Sequence, residues 1–250
     1  MSASLSNHVA LVTGSGRRLG RAVAVGLAEQ GADVVIHYRS SEAEAREAVA
    51  QIEKLGRRSI ALQADLAKVS DLPQLFHKVE ASFGRLDLLV NSAANFLQTE
   101  FASTTERVWD ASLDTNLKAV FFCCQAAAPL LKKTHGAIIN FADIGGILGW
   151  TGYIPHSISK AGIIMLTRCL AKELAPEIRV NAIAPGTINM PGDPPELEAD
   201  FVKLAPLQRS GRPDDIVAAV SYLAAANFVT GQVLVVDGGT SLTAPERDSQ

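Results

Sequence analysis

The chain is short of cysteine, of long apolar runs and of charge of one sign. Cys123, Cys124 and Cys169 are its only cysteines, and none sits in a CxxC or at a metal-ligand spacing. Adjacent cysteines do not easily bridge, so a disulfide scaffold and a zinc site are both excluded. Buried thiols in a reducing compartment, the cytoplasm, are expected instead. No stretch approaches ~18 apolar residues without a polar break, so no transmembrane helix is expected. Residues 1–7 lack a charged start and an apolar run, which gives no sign of a secretory signal. The 23 Lys and Arg balance 26 Asp and Glu, for a net charge of -3 without a basic block. Nucleic acid and anionic membrane are therefore poor partners, and a small-molecule substrate is the better expectation. Internal repeats, low-complexity stretches and interdomain linkers are also missing.

What is present is a hydrophobic fraction of 48% and a charged fraction of 20% in 250 residues. That suits one α/β domain spanning residues 1–250, with a polar tail fraying after Leu242. Short apolar runs at 9–12, 33–37, 59–62, 86–90, 137–141, 178–183 and 232–236 read as seven strands. Amphipathic segments at 19–30, 41–55, 70–83, 104–131, 153–174 and 213–226 read as helices between them. Ser41 is a plausible N-cap, and Gly31, Gly56 and Gly84 are stops. Continuously apolar strands alternating with helices predict a single Rossmann-type, doubly wound α/β domain, its mostly parallel seven-stranded sheet flanked by helices on both faces. The segment from Thr187 to Pro195 is rich in Pro, Gly and Asp and falls beyond a strand's carboxyl end, where such sheets bind ligands.

Between the first strand and first helix lies Thr13-Gly-Ser-Gly-Arg-Arg-Leu-Gly20. Glycines there let the backbone turn tightly and approach a pyrophosphate, and the helix N-terminus offers it N–H groups and a positive dipole end. The segment, with Gly14, Ser15, Arg17, Arg18, Leu19 and Gly20, resembles the TGxxxGxG turn of the short-chain dehydrogenases/reductases. Further segments match that family in order: Asp65-Leu66, Asn91-Ser92-Ala93-Ala94, Asn116, Lys160, Pro185-Gly186 with Thr187 and Ile188, and Phe228 to Gly239. The resemblance covers residues 8 to about 242. It implies an NADP(H)-dependent oxidoreductase and a homotetramer, with Asp65 at the adenine, Lys160 on the nicotinamide ribose and Pro185-Gly186 lining the nicotinamide. Asn116 would help hold a water near Lys160. An NAD enzyme usually carries a carboxylate at the end of the second strand. Here the strand ends in Tyr38-Arg39-Ser40, and Arg17, Arg18 and Arg39 are placed to meet a 2′-phosphate.

Two features are similar to the pteridine reductase branch and related dihydromonapterin reductases. Arg18 stands where most relatives have the turn's middle glycine, and Asp143 where most carry a catalytic Ser. Phe96 falls where that branch stacks an aromatic ring on the pterin, whereas Ala94 replaces a Ser that helps hold it. This resemblance implies reduction of a pterin or related heterocycle. The alternative is a carbonyl reductase, such as a 3-oxoacyl or other ketone reductase.

The family's YxxxK motif reads His156-Ser-Ile-Ser-Lys160 here, with Asp143 thirteen residues before the histidine. Reduction of C=N or C=O needs a hydride and a proton, and tyrosine gives its proton only because a lysine cation eases the loss. At His156 the Lys160 cation disfavours an imidazolium and an Asp143 carboxylate favours it. An Asp143–His156 pair is the expected donor. Tyr153, seven residues before Lys160, is a second candidate, at a spacing similar to the enoyl-reductase branch. A third possibility is an NADP-binding protein whose catalysis is weak or lost. Phe96, Asp143 and Tyr153 are the expected substrate contacts. His77 and His135 are expected to be exposed, and His8 and His37 structural. No His/Cys/Asp spacing suggests a metal.

Overall fold

The computed structural model describes residues 5–193 and 202–243. The tail from residue 244 on, expected to fray, and the prolines at 194 and 195 lie outside the described residues. Seven strands form one sheet: β1 (Val9–Val12), β2 (Asp33–Tyr38), β3 (Ser59–Gln63), β4 (Leu88–Asn91), β5 (Ala137–Phe141), β6 (Arg179–Pro185) and β7 (Val233–Val236). Their order is β3-β2-β1-β4-β5-β6-β7. All six pairings are parallel, where the sequence had suggested only a mostly parallel sheet.

The strands of the sheet's middle are apolar on both faces because both are covered. On one side α1 (Arg18–Glu29), α2 (Glu42–Lys54) and, after the other helices, α8 (Pro213–Ala225) bury Val23, Leu27, Ile52, Ile216 and Val220 against Val34, Ile36 and Ile139. Gly26 lets α1 lie directly on α8, since a Cβ there would come within 2.4 Å of Val217. On the other side α3 (Leu72–Phe83), α5 (Ala119–Thr134) and α7 (Ile154–Glu173) bury Leu75, Val79, Cys123, Leu131 and Ile163 against Leu11, Leu89 and Ile138. Between α3 and α7 also lie α4 (Glu106–Leu113) and the four-residue α6 (Gly145–Leu148).

Local chemistry explains most boundaries. Pro73 and Pro213 sit in first turns, where a missing N–H costs nothing. Gly84 ends α3 at φ 72, a left-handed conformation that glycine takes without strain. Ser41 precedes α2, but its hydroxyl makes no capping bond.

The helical region expected over 104–131 is helical from Glu106 to Thr134. Thr105 caps α4, accepting from Val108 N, and a π-helical turn over Asp114–Lys118 joins α4 to α5. Helical periodicity does not reveal one extra residue per turn, yet that turn carries Asn116. A second correction concerns the thiols: Cys123 and Cys124 are buried, but Cys169 is exposed. No helix among the described residues is long and apolar enough to cross a membrane.

Candidate active site

The strand order reverses between β1 and β4, the place where sheets of this kind bind ligands. A cleft of about 1370 Å³ opens at this place, lined by segments from β1, β2, β3, β4, β5, α7 and the chain after β6.

The nucleotide end is built from backbone. Gly14 has φ 65, and a Cβ on it would stand 2.8 Å from the Ala93 Cα; a Cβ on Gly20 would stand 2.5 Å from the Gly14 carbonyl oxygen. Only glycines allow this close approach. The first backbone bond of α1 runs from Arg21 N to Arg17 O, at 3.3 Å. The N–H groups of Arg18, Leu19 and Gly20 precede it and so have no intrahelical partner. Such a helix start fits a dinucleotide pyrophosphate. Arg18 has φ 50, a conformation that carries strain for a residue with a side chain. Its guanidinium is engaged with Asp193, at 2.9 and 3.1 Å, across the cleft mouth.

Arg17, Arg39 and Ser40 are exposed on the same wall, beside the buried Tyr38, and no carboxylate ends β2. Asp65 and Leu66 face them from the end of β3, and Ser92 and Ala93 from the end of β4. Pro185, Gly186, Thr187 and Ile188 form the far wall.

Two residues from the motif turn inward instead. Ser15 is buried and donates to Val12 O at 2.6 Å, which locks the turn. Asn91 is buried under the cleft, donating to Asn140 Oδ1 at 2.9 Å and so tying β4 to β5. Neither lines the cleft.

The reactive end gathers Asp143, His156 and Lys160. Asp143 is fixed by the N–H of Gly145, which donates to its Oδ1 at 2.7 Å. Its Oδ2 lies 3.8 Å from His156 Nε2, close enough for charge attraction but beyond a hydrogen bond. His156 is 3% exposed, and its Nε2 has no hydrogen-bond partner among the described residues. Lys160 is buried and donates to the Phe141 carbonyl at 2.7 Å. Burial pulls its ammonium down to about 8, opposed by the Asp143 carboxylate.

Asn116 faces the histidine, which the expectation of a water near Lys160 did not anticipate. Its Oδ1 accepts from Asn95 N at 2.8 Å, and its Nδ2 donates to Asn95 O at 3.0 Å. The same Nδ2 points at His156 Nδ1, 3.5 Å away. Nδ2 also donates to Ser159 Oγ at 3.3 Å, so its two hydrogens are directed at Asn95 and Ser159.

Phe96 and Tyr153 stack with ring centroids 4.3 Å apart, and Phe96 meets His156 edge-on at 4.7 Å. Trp150, which the sequence analysis did not single out, completes this wall. Its indole packs where a Gly145 Cβ would lie, at 2.7 Å. An indole packed against a glycine leaves no periodic signal, although Gly145-Gly146 ahead of a tryptophan is the sequence trace of it. His77 and His135 are exposed, as expected; His8, expected to be structural, is exposed as well. No group of three His, Cys, Asp or Glu among the described residues is placed to hold a metal.

A parallel sheet with a glycine-lined crevice at its switch point, and a buried acid–base cluster beside it, defines an NAD(P)-dependent oxidoreductase. Residues 14–241 match the family model described as Enoyl-(Acyl carrier protein) reductase. The chain is similar to the 3-oxoacyl-[acyl-carrier-protein] reductase FabG of Staphylococcus epidermidis, 39% identical over 93% of this chain and 98% of that one. It is also similar to 3beta-hydroxysteroid dehydrogenase 1 of Eggerthella lenta, 40% identical over 95% of each. Among solved structures, a protein assigned as a short-chain alcohol dehydrogenase of Sinorhizobium meliloti superposes with a TM-score of 0.92 and 35% identity, covering 98% of this chain and 100% of its own. The chain belongs to the short-chain dehydrogenase/reductase family. These relatives favour the carbonyl-reductase alternative over the pterin reading drawn from Arg18, Asp143 and Phe96.

Proposed function

We propose that this protein is an NADP(H)-dependent carbonyl reductase, interconverting a ketone of the 3-oxo type and its alcohol, with His156 as the proton-transfer residue. The observation that carries this reading is the buried His156 Nε2, without a hydrogen-bond partner among the described residues and 3.8 Å from Asp143 Oδ2 on the wall of the cleft. A bound nicotinamide would supply or take up the hydride.

The chain's own residues do the rest. Asn116 stands on the Nδ1 side of the ring, and Nε2 faces Asp143 and the substrate space. A ketone oxygen placed against a protonated Nε2 receives a hydrogen bond where alkoxide charge develops. Asp143, anchored by the Gly145 N–H, sets a carboxylate 3.8 Å from Nε2, beside the proton that is transferred. Lys160, cationic below about pH 8, suits a ribose hydroxyl and raises the positive potential beside the developing charge. Phe96, Trp150 and Tyr153 present an apolar wall that excludes water from that oxygen. The choice of NADP(H) over NAD(H) rests on Arg17 and Arg39 standing free of carboxylates at the end of β2.

Large apolar side chains exposed on the surface, among them Phe101, Phe121, Met165, Tyr222, Phe228 and Leu242, support a homo-oligomer. The unpaired thiols fit a reducing compartment such as the cytoplasm.

A flat heterocycle is a second reading, because Phe96 is 56% exposed at the cleft and stacks readily. Measuring NADPH oxidation with an acetoacetyl thioester, a cyclic ketone and a dihydropterin separates the two. Turnover confined to the dihydropterin would replace the carbonyl reading.

A further inference from the structure

His37 is a buried titratable residue that the reaction described above does not use. It sits near the end of β2, 2% exposed, and its ring touches two other walls of the nucleotide end. Nδ1 accepts from the Gly14 N–H at 3.0 Å, within the glycine-rich turn. Nε2 lies 3.1 Å from the Ala64 carbonyl, next to Asp65 and Leu66. Its backbone is tied to the same turn: the Ser15 N–H donates to His37 O at 2.9 Å, and the His37 N–H donates to Ser15 Oγ at 3.2 Å.

The pattern requires one species. Nδ1 can accept from an amide only if it carries no proton, and Nε2 can satisfy a carbonyl only if it does. His37 is therefore the neutral Nε2–H tautomer. Burial holds the imidazolium well below its ordinary range, to about 4, although the Ala64 carbonyl and Asp65 oppose this.

We infer that His37 is a positioning residue for the cofactor: it braces the glycine-rich turn against the Asp65-Leu66 segment and so sets the spacing of the nucleotide cleft. Three observations carry this. The two segments it joins, after β1 and after β3, both line the one cleft. The Gly14 amide is spent on His37, which leaves the amides at the start of α1 for the phosphates. The turn is rigid on its other side, where Gly14 lies against the Ala93 backbone. Loss of the imidazole acceptor frees the turn on one side only and misaligns the α1 amides with Arg17, Tyr38 and Asp65. This rests on the cofactor reading above, and it is a statement about binding geometry, not about proton transfer.

The test is the dissociation constant for NADPH, read by fluorescence titration on wild type, His37→Leu and His37→Asn, together with the melting midpoint of each. Leucine keeps volume but removes both bonds; asparagine retains one acceptor and one donor. The expected result is an NADPH dissociation constant weakened by about tenfold or more in His37→Leu and largely restored in His37→Asn. Where turnover is measurable, kcat at saturating NADPH stays near wild type while KM for NADPH rises.

A purely stabilising role predicts instead a lowered melting midpoint with unchanged NADPH affinity in the folded fraction, and that overturns the inference. Failure of wild type to bind either NADPH or NADH would sink the cofactor reading itself, and this inference with it. Should His37→Leu not fold, 15N NMR of the wild-type ring decides. A neutral Nε2–H tautomer at pH 7 supports the brace, and an Nδ1–H tautomer or an imidazolium overturns it.

Discussion

Asp143 Oδ2 stands 3.8 Å from His156 Nε2, within reach of charge attraction but beyond a hydrogen bond, and Nε2 has no hydrogen-bond partner among the described residues. A carbonyl oxygen that approaches Nε2 from the cleft finds a nitrogen not yet engaged. Each member of the cluster is separately testable.

Asn116→Ala removes the amide behind Nδ1 and the two bonds to Asn95. The imidazole then loses its polar neighbour on the Nδ1 side, and Asn95 and Ser159 lose the amide that holds them beside the ring. We expect kcat to fall by about 10–100-fold with little change in NADPH affinity, since Asn116 lies outside the cleft lining. Steady-state kinetics beside an NADPH titration check it.

Lys160 gives a pH dependence of defined sign. Its proton is held below about pH 8 and lost above it. Cofactor affinity and kcat/KM should therefore decline as pH rises through about 8, and Lys160→Met should show lower values without that step. The folded pKa is depressed below the unfolded one, so the unfolded chain binds more protons between about 8 and 10.5. Stability in wild type should accordingly gain from Lys160 as pH rises across that window, a slope that denaturant titrations on Lys160→Met should not show.

His37 acts in the acid range. Folded His37 stays neutral down to about pH 4, whereas the unfolded side chain takes up its proton near 6.5. Its contribution is fully present above 6.5 and is lost as pH falls from 6.5 toward 4, by up to about 3 kcal/mol. Urea midpoints at pH 7 and pH 4.5 should differ more for wild type than for His37→Asn.

Gly14→Ala places a Cβ 2.8 Å from the Ala93 Cα at a φ of 65, and neither the β4 end nor the turn can yield cheaply. A destabilisation of about 2–4 kcal/mol is expected, with loss of NADPH binding. Calorimetry and the same fluorescence titration read both. Replacing Arg17 and Arg39 by alanine should instead leave stability unchanged. It should raise KM for NADPH by about 10–100-fold and KM for NADH little, because only the 2′-phosphate is lost as a contact.

The architecture was legible because each strand is a short apolar run and each helix has its punctuation, as with Pro73 and Gly84 around α3. The nucleotide end was legible because its chemistry is backbone chemistry, which forces glycine into Gly14 and Gly20. What escaped was whatever depends on packing across the chain. The π-helical turn at Asp114–Lys118 looks like ordinary helix in sequence. His37 read as a strand residue because its partners, Gly14 and Ala64, lie 23 and 27 residues away. Trp150 joins the site through packing against Gly145 and ring contacts with Phe96, Tyr153 and His156, none of which leaves a spacing in the sequence. Ser15 and Asn91 belong to the motif but point into the fold, so motif membership alone did not separate lining from support. The substrate reading was the most exposed to error, because Arg18, Asp143 and Phe96 are three positions against similarity along nearly the whole chain.

The most direct test of the account is NADPH oxidation with an acetoacetyl thioester or a cyclic ketone, run with wild type, His156→Ala and His156→Tyr. The account predicts carbonyl-dependent turnover in wild type, a loss of about 10²-fold or more in kcat for His156→Ala at unchanged NADPH affinity, and recovery in His156→Tyr. Turnover that survives His156→Ala would contradict it and move the proton-transfer role to Tyr153.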